Sequence, residues 1–143
     1  VSAQVYFDDI AEGEQIPSLK KPVTTVNILM YLGVVWLLDR IHFDYPFATE
    51  RRGLPDIVAP GNMAVDFFAQ FLTDWAGDKG ALRKLSTQYR SFMVPGKTLE
   101  CIGKITRKYR EEGTGFAELD LTLQNDEGTT CVLGKALVEL PIK

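Results

Sequence analysis

The chain is poor in the residues that build metal and redox sites. It has one histidine, His42, and two cysteines, Cys101 and Cys131, in 143 residues. The cysteines form no CxxC pair and lie far from the histidine in sequence, which argues against a zinc site and a disulfide scaffold alike, so both read as small core residues. No metal is expected. No apolar run reaches the roughly 20 residues that span a bilayer, and Val1 to Asp9 lack the charged-then-apolar pattern of a secretory signal. A cytoplasmic location and no membrane partner are the expectation. Nor is there an excess of either charge: Lys and Arg total 16, Asp and Glu 19, for a net charge of −3. A nucleic-acid partner is not expected from that balance.

What is present has the proportions of a globular chain, with 45% hydrophobic and 24% charged residues. The length fits one domain, residues 1–143, with a core of its own. Phe7, Ile10 and Ile16 around the acidic turn Glu12-Gly13-Glu14 read as an edge segment leading into an extended stretch. Thr24 and Thr25 then precede Val26 to Gly33, where Ile28, Leu29, Tyr31 and Leu32 fit one face of a helix of about two turns with a Thr cap and a Gly stop. The apolar run Val34 to Leu38 fits a continued helix or a buried extended segment equally well. From Asp39 to Pro60, charges together with Pro46, Gly53, Pro55 and Pro60 predict a long irregular loop with one short turn at Phe47 to Arg52. Loops of that length inside a compact domain are usually functional.

Asn62 to Ala76 is the most informative element. Asn62, Asp66, Gln70, Thr73 and Asp74 recur every three or four positions and form one narrow polar stripe. Met63, Val65, Phe67, Phe68, Phe71, Leu72 and Trp75 cannot all face one flat layer, so something has to wrap this helix. Four extended runs supply the wrapping: Leu85 to Val94, Thr98 to Tyr109, Gly115 to Asn125 and Thr129 to Leu140. They are separated by Pro95-Gly96, by Arg110 to Thr114 and by Asp126-Glu127-Gly128. Ala117, Leu119, Leu121 and Leu123 alternate onto one face of the third run, and Val132, Ala136, Val138 and Leu140 onto one face of the fourth. A four-stranded antiparallel meander packed on one long helix follows, an α+β fold.

This pattern, with Arg40-Ile41-His42-Phe43-Asp44 and the Tyr45-Pro46-Phe47-Ala48 stretch after it, resembles the hotdog fold. Within that fold it resembles the MaoC-like dehydratases, also called the (R)-specific enoyl-CoA hydratase family. The resemblance covers nearly the whole chain, including the Phe7-Asp8-Asp9 to Gly13 opening, the Thr25 to Tyr31 helix, Ala59-Pro60-Gly61, the Trp75-Ala76-Gly77 helix exit, and Tyr89 to Thr98. It implies a curved antiparallel sheet wrapped around the central helix and a hydro-lyase acting on an acyl-CoA thioester. Coenzyme A would be part of the substrate, with no separate cofactor. It also implies a homodimer or higher oligomer, with a heteromer as the alternative.

The chemistry of such a site needs a base for water, an acid for the α-carbon and donors for the developing enolate oxygen. His42 is the natural proton carrier, since imidazole is the side chain that titrates near neutrality. Gly61 and Asn62 open the long helix, where unpartnered backbone N–H groups and the helix dipole favour negative charge. In the family the equivalent glycine region approaches the thioester carbonyl. The resemblance departs in two places: five residues before the histidine the family carries Asp or Asn, and here Leu37 stands, with no hydrogen-bonding group, and the Asn or Pro common just before the histidine is missing, with Asp39 and Arg40 there instead. Asp39 and Asp44 flank the histidine in sequence as candidate partners, and Asp66 on the helix stripe is a third. Leu37 also supports a non-catalytic partner subunit of a heteromeric hydratase, and an acyl-CoA thioesterase is a weaker alternative. For the phosphates of coenzyme A the candidates are Arg83, Lys84, Arg90, Lys104, Arg107, Lys108 and Arg110.

Overall fold

The computed structural model describes residues 3–143, so that Val1 and Ser2 of the opening segment lie outside the described residues. Five antiparallel strands make one sheet: β1 (Gln15–Pro22), β2 (Ala81–Tyr89), β3 (Thr98–Glu111), β4 (Thr114–Asn125) and β5 (Thr130–Leu140). Two α-helices precede most of it in the chain, α1 (Thr25–Val35) and α2 (Gly61–Ala76). This is the α+β hotdog architecture, with α2 lying against β1, β2, β3 and β5.

The alternation of side chains sets which face of the sheet meets the helix. Leu99, Cys101 and Ile105 of β3, Ala117 to Leu123 at every second position of β4, and Val132, Ala136, Val138 and Leu140 of β5 are all buried. They pack with Met63, Ala64, Phe67, Phe68, Phe71, Leu72 and Ala76 of α2 in one apolar cluster. Burying a large apolar side chain contributes about 1.5–3 kcal/mol, which makes this cluster the main favourable term. At Gly103 the helix comes close to the sheet, where a β-carbon would lie 3.0 Å from Phe71 Cε1. The predicted polar stripe is exposed at all five positions, while Val65 and Trp75 are only half-buried. Cys101 and Cys131 are buried free thiols, and desolvation pushes Cys101 up to about 12.

Two expectations are corrected. The strands are not a four-stranded meander, because the order is β1-β3-β4-β5-β2 and only β3, β4 and β5 follow one another. The physical reason lies in residues 90–97, which are too engaged elsewhere to be a hairpin turn. Arg90 N donates to Cys131 O at 2.8 Å, Ala59 N to Met93 O at 2.7 Å, and Gly96 N to Val23 O at 2.8 Å. Pro95-Gly96 therefore ties the segment to the end of β1, and β2 pairs with β5. The second correction concerns α1, which begins as predicted after Thr24, whose hydroxyl accepts from Asn27 N. It runs past Gly33 and ends at Trp36, a left-handed residue with φ 54°.

α1 also leaves an apolar face in solvent. Ile28 and Leu32 are buried, but Val26, Leu29, Met30, Val34, Trp36 and Leu38 are exposed, Val34 by 81% and Trp36 by 80%.

Candidate active site

The loop between α1 and α2 is short of regular structure but well tied. Arg40–His42 forms a 3-10 turn whose start is capped by Asp39, the carboxylate accepting from Ile41 N at 3.2 Å. Asp44 accepts from Arg40 Nε at 2.9 Å and Arg40 Nη2 at 2.6 Å, and its other oxygen accepts from Phe47 N at 3.1 Å. That N–H opens the turn Phe47–Arg51, which is π-helical, and the Arg40 guanidinium lies 4.3 Å from the centre of the Phe47 ring. These bonds fix the chain on both sides of the histidine. Val58 N then donates to Ile41 O at 3.1 Å and lays the buried segment Ile57 to Pro60 alongside.

His42 is 8% exposed and its Nδ1 sits 2.6 Å from Val58 O. A carbonyl oxygen only accepts, so Nδ1 carries a proton, and in the neutral ring the lone pair then lies on Nε2, where it can serve as a base. The ring opens on a cavity of about 340 Å³ lined by Ile41, His42, Val58, Ala59, Gly61, Tyr89, Arg90, Ser91, Phe92 and Met93. That volume lies within the range of small-molecule sites. The start of α2 forms part of the wall through Gly61, and no side chain caps this helix at Pro60. The first N–H groups of an uncapped helix are donors in want of an acceptor.

The sequence-derived site residues therefore separate. His42 and Gly61 share the cavity, whereas Asn62 is exposed and does not line it. Asp39 and Asp44 do not line it either: one caps the histidine turn and the other holds Arg40 and Phe47. They shape the loop. Asp66 accepts from the Tyr31 hydroxyl at 2.6 Å. Leu37 is half-buried against the core and away from the cavity. No carboxylate lines the cavity among the described residues.

Of the candidate cations the structure separates one. Arg83 pairs with Glu139, Arg107 with Glu118 and Arg110 with Asp8, and Lys108 donates to the carbonyls of Phe7 and Ile10. Arg90 is at the cavity, its guanidinium engaged with Gln88 at 2.6 Å rather than with a carboxylate. Tyr89, Ser91, Phe92 and Met93 also line the cavity; the sequence places them in an extended run and in the stretch that carries the resemblance, without assigning them to the site. Their signal was their place next to Pro95-Gly96, which marks the return past the helix start. A larger depression of about 410 Å³ lies on the outer face of the sheet between Ser86, Thr122 and Lys135, and it contains neither the imidazole nor a helix start.

The fold recurs in solved structures. The R-hydratase PhaJ1 from Pseudomonas aeruginosa superposes with a TM-score of 0.85 over 98% of this chain and 88% of its own, at 13% identity. A MaoC-like dehydratase does so with a TM-score of 0.83 at 25% identity, over 98% of this chain. The chain has the MaoC-like hotdog fold. It spans 43% of that dehydratase's length. The ChsH1-ChsH2 complex from Mycobacterium tuberculosis is similar over 91% of this chain and 98% of the other, with a TM-score of 0.79 and 17% identity. No protein-family model matches the sequence, and no curated protein is similar to it.

Proposed function

We propose that the MaoC-like hotdog chain is a hydro-lyase that interconverts 2-enoyl and 3-hydroxyacyl thioesters of coenzyme A, with His42 as its proton carrier. One observation carries this reading: an imidazole with a free Nε2 and the uncapped start of α2 wall the same cavity. Water adds through its oxygen to the β-carbon and gives its proton to Nε2. The π electrons of the double bond move onto the thioester as an enolate, whose oxygen meets the N–H of Gly61 at the positive end of α2. The imidazolium then returns the proton to the α-carbon, so one base serves both steps and no carboxylate is needed in the cavity. Arg90 at the rim is the cation for the phosphates of coenzyme A.

Purified protein given crotonyl-CoA is expected to bleach the enoyl absorbance, and His42→Ala to lose that activity by 100-fold or more, the usual weight of general acid–base catalysis being about 10²–10⁴-fold. Equal rates would remove His42 from the mechanism. Release of free thiol would mark a thioesterase instead.

A second reading is supported by Leu37 and by the exposed apolar face of α1. The chain would then be the partner subunit in a heteromer, completing a tunnel while a companion hotdog chain does the chemistry. An inactive chain that activates such a companion would decide for it.

A further inference from the structure

The hydratase reading asks for donors to the enolate oxygen, and the cavity holds one besides the helix start. A β-carbon on Gly61 would lie 2.9 Å from Tyr89 Cζ and 3.1 Å from its hydroxyl oxygen. The phenol therefore lies directly over the Cα of the first residue of α2, on the wall that His42 shares. Its backbone is the last pair of the β2–β5 ladder, Tyr89 opposite Val132, and Arg90 N is bonded to Cys131 O immediately after it. The backbone of Tyr89 is thus fixed by the sheet, and the glycine gives its ring room to lie against the start of α2.

A second phenol stands nearby, and the two differ in what their hydroxyls do. Tyr31 of α1 donates to Asp66, and both the Asp66 carboxylate and Tyr89 oppose its ionisation after desolvation has done so. The Tyr31 hydroxyl is thereby committed to Asp66, the first carboxylate along α2. The Tyr89 hydroxyl makes no hydrogen bond to another side chain or carbonyl among the described residues. Its proton is available to whatever enters the cavity.

We propose, resting on the hydratase reading, that Tyr89 is a catalytic residue whose hydroxyl donates to the thioester oxygen beside the α2 N–H groups as that oxygen takes up negative charge. The phenol keeps its proton throughout, so the water addition remains balanced through His42 alone. Its hydrogen bond strengthens as the acceptor changes from carbonyl to enolate, which favours the transition state over the bound substrate.

Tyr89→Phe removes one oxygen and keeps the ring against Gly61. Steady-state kinetics on crotonyl-CoA should show kcat lowered about 100-fold, the weight of one oxyanion donor, with KM within about twofold of the parent. Tyr89→Leu should be no less impaired. If Tyr89→Phe matches the parent while Tyr89→Leu is inactive, the residue acts through its ring and the proposal is overturned. A rise in KM with kcat unchanged overturns it as well, because that is uniform binding. If the parent protein hydrates no enoyl-CoA, alone or with a companion hotdog chain, the hydratase reading falls and takes this proposal with it. An active parent with an equally active Tyr89→Phe sinks the Tyr89 assignment alone.

Discussion

At Gly61 the absence of one methyl group decides whether the Tyr89 ring can lie where it does. Gly61→Ala would place a carbon 2.9 Å from that ring, and Tyr89, half exposed at a strand end, has room to turn outward. The expected result is a large loss of hydratase rate with little loss of stability. Gly115→Ala is the contrasting case, since its β-carbon would fall 2.6 Å from Phe7 Cβ and Cγ in the buried core. There the overpacking should cost about 1–3 kcal/mol in urea unfolding and leave the rate of the folded fraction unchanged. A pair of variants with these effects exchanged would contradict the placement of the site. His42 was legible in the sequence because it is the one imidazole, and Gly61 because Pro and Gly open a strongly periodic helix. Tyr89 was not, since inside the run read as Leu85 to Val94 no spacing distinguishes it from its neighbours as part of a cavity wall. Asp39 and Asp44 illustrate the opposite error of inference: nearness in sequence to a histidine reflects loop capping as readily as chemistry.

Among the elements, the histidine loop depends on Asp44 more than on its regular turns. Its carboxylate joins Arg40 to the N–H of Phe47, and these bonds, Arg40 first, hold its carboxyl below the usual range. A lowered folded-state pKa means the contribution to loop order is complete above the ordinary carboxylate value of about 3.9 and is lost only as pH falls through the lowered one. Amide exchange at Phe47 should therefore stay slow at mildly acid pH and rise below that range. Asp44→Ala should make it fast at neutral pH and reduce kcat, because the His42 turn loses one anchor. Slow exchange in the variant would show that Asp44 does not order the loop. Element boundaries here divide by cause. α2 and strands β3 to β5 were readable because period and turn chemistry agree within each segment. The end of α1 and the pairing of β2 were not, since Trp36 takes a conformation rare for its type and the 90–97 segment is fixed by bonds to Val23, Ala59 and Cys131.

For the whole molecule, the unresolved physical demand is the apolar face of α1. Val26, Met30 and Val34 follow one another at helical spacing, and Trp36 and Leu38 are exposed just beyond the helix end. Exposed patches on monomers rarely exceed about 300–600 Å², and a stable interface takes about 800 Å² from each partner. A covered face is the physical expectation, by a second copy or by a related hotdog chain. Trp36 separates the two contributions because they have opposite signs. In the isolated chain its left-handed backbone is unfavourable by about 1–2 kcal/mol for an L-residue, and Asn tolerates that conformation far better. Trp36→Asn should therefore raise the urea midpoint of the dilute, monomeric chain. In the assembly the same substitution removes a large apolar side chain from the contact, so light scattering should show a mass nearer 16.0 kDa at concentrations where the parent is at least a dimer. A parent that stays monomeric at high concentration would leave the face to a different chain, and a variant weakened in both measurements would mean that Trp36 packs within its own protomer.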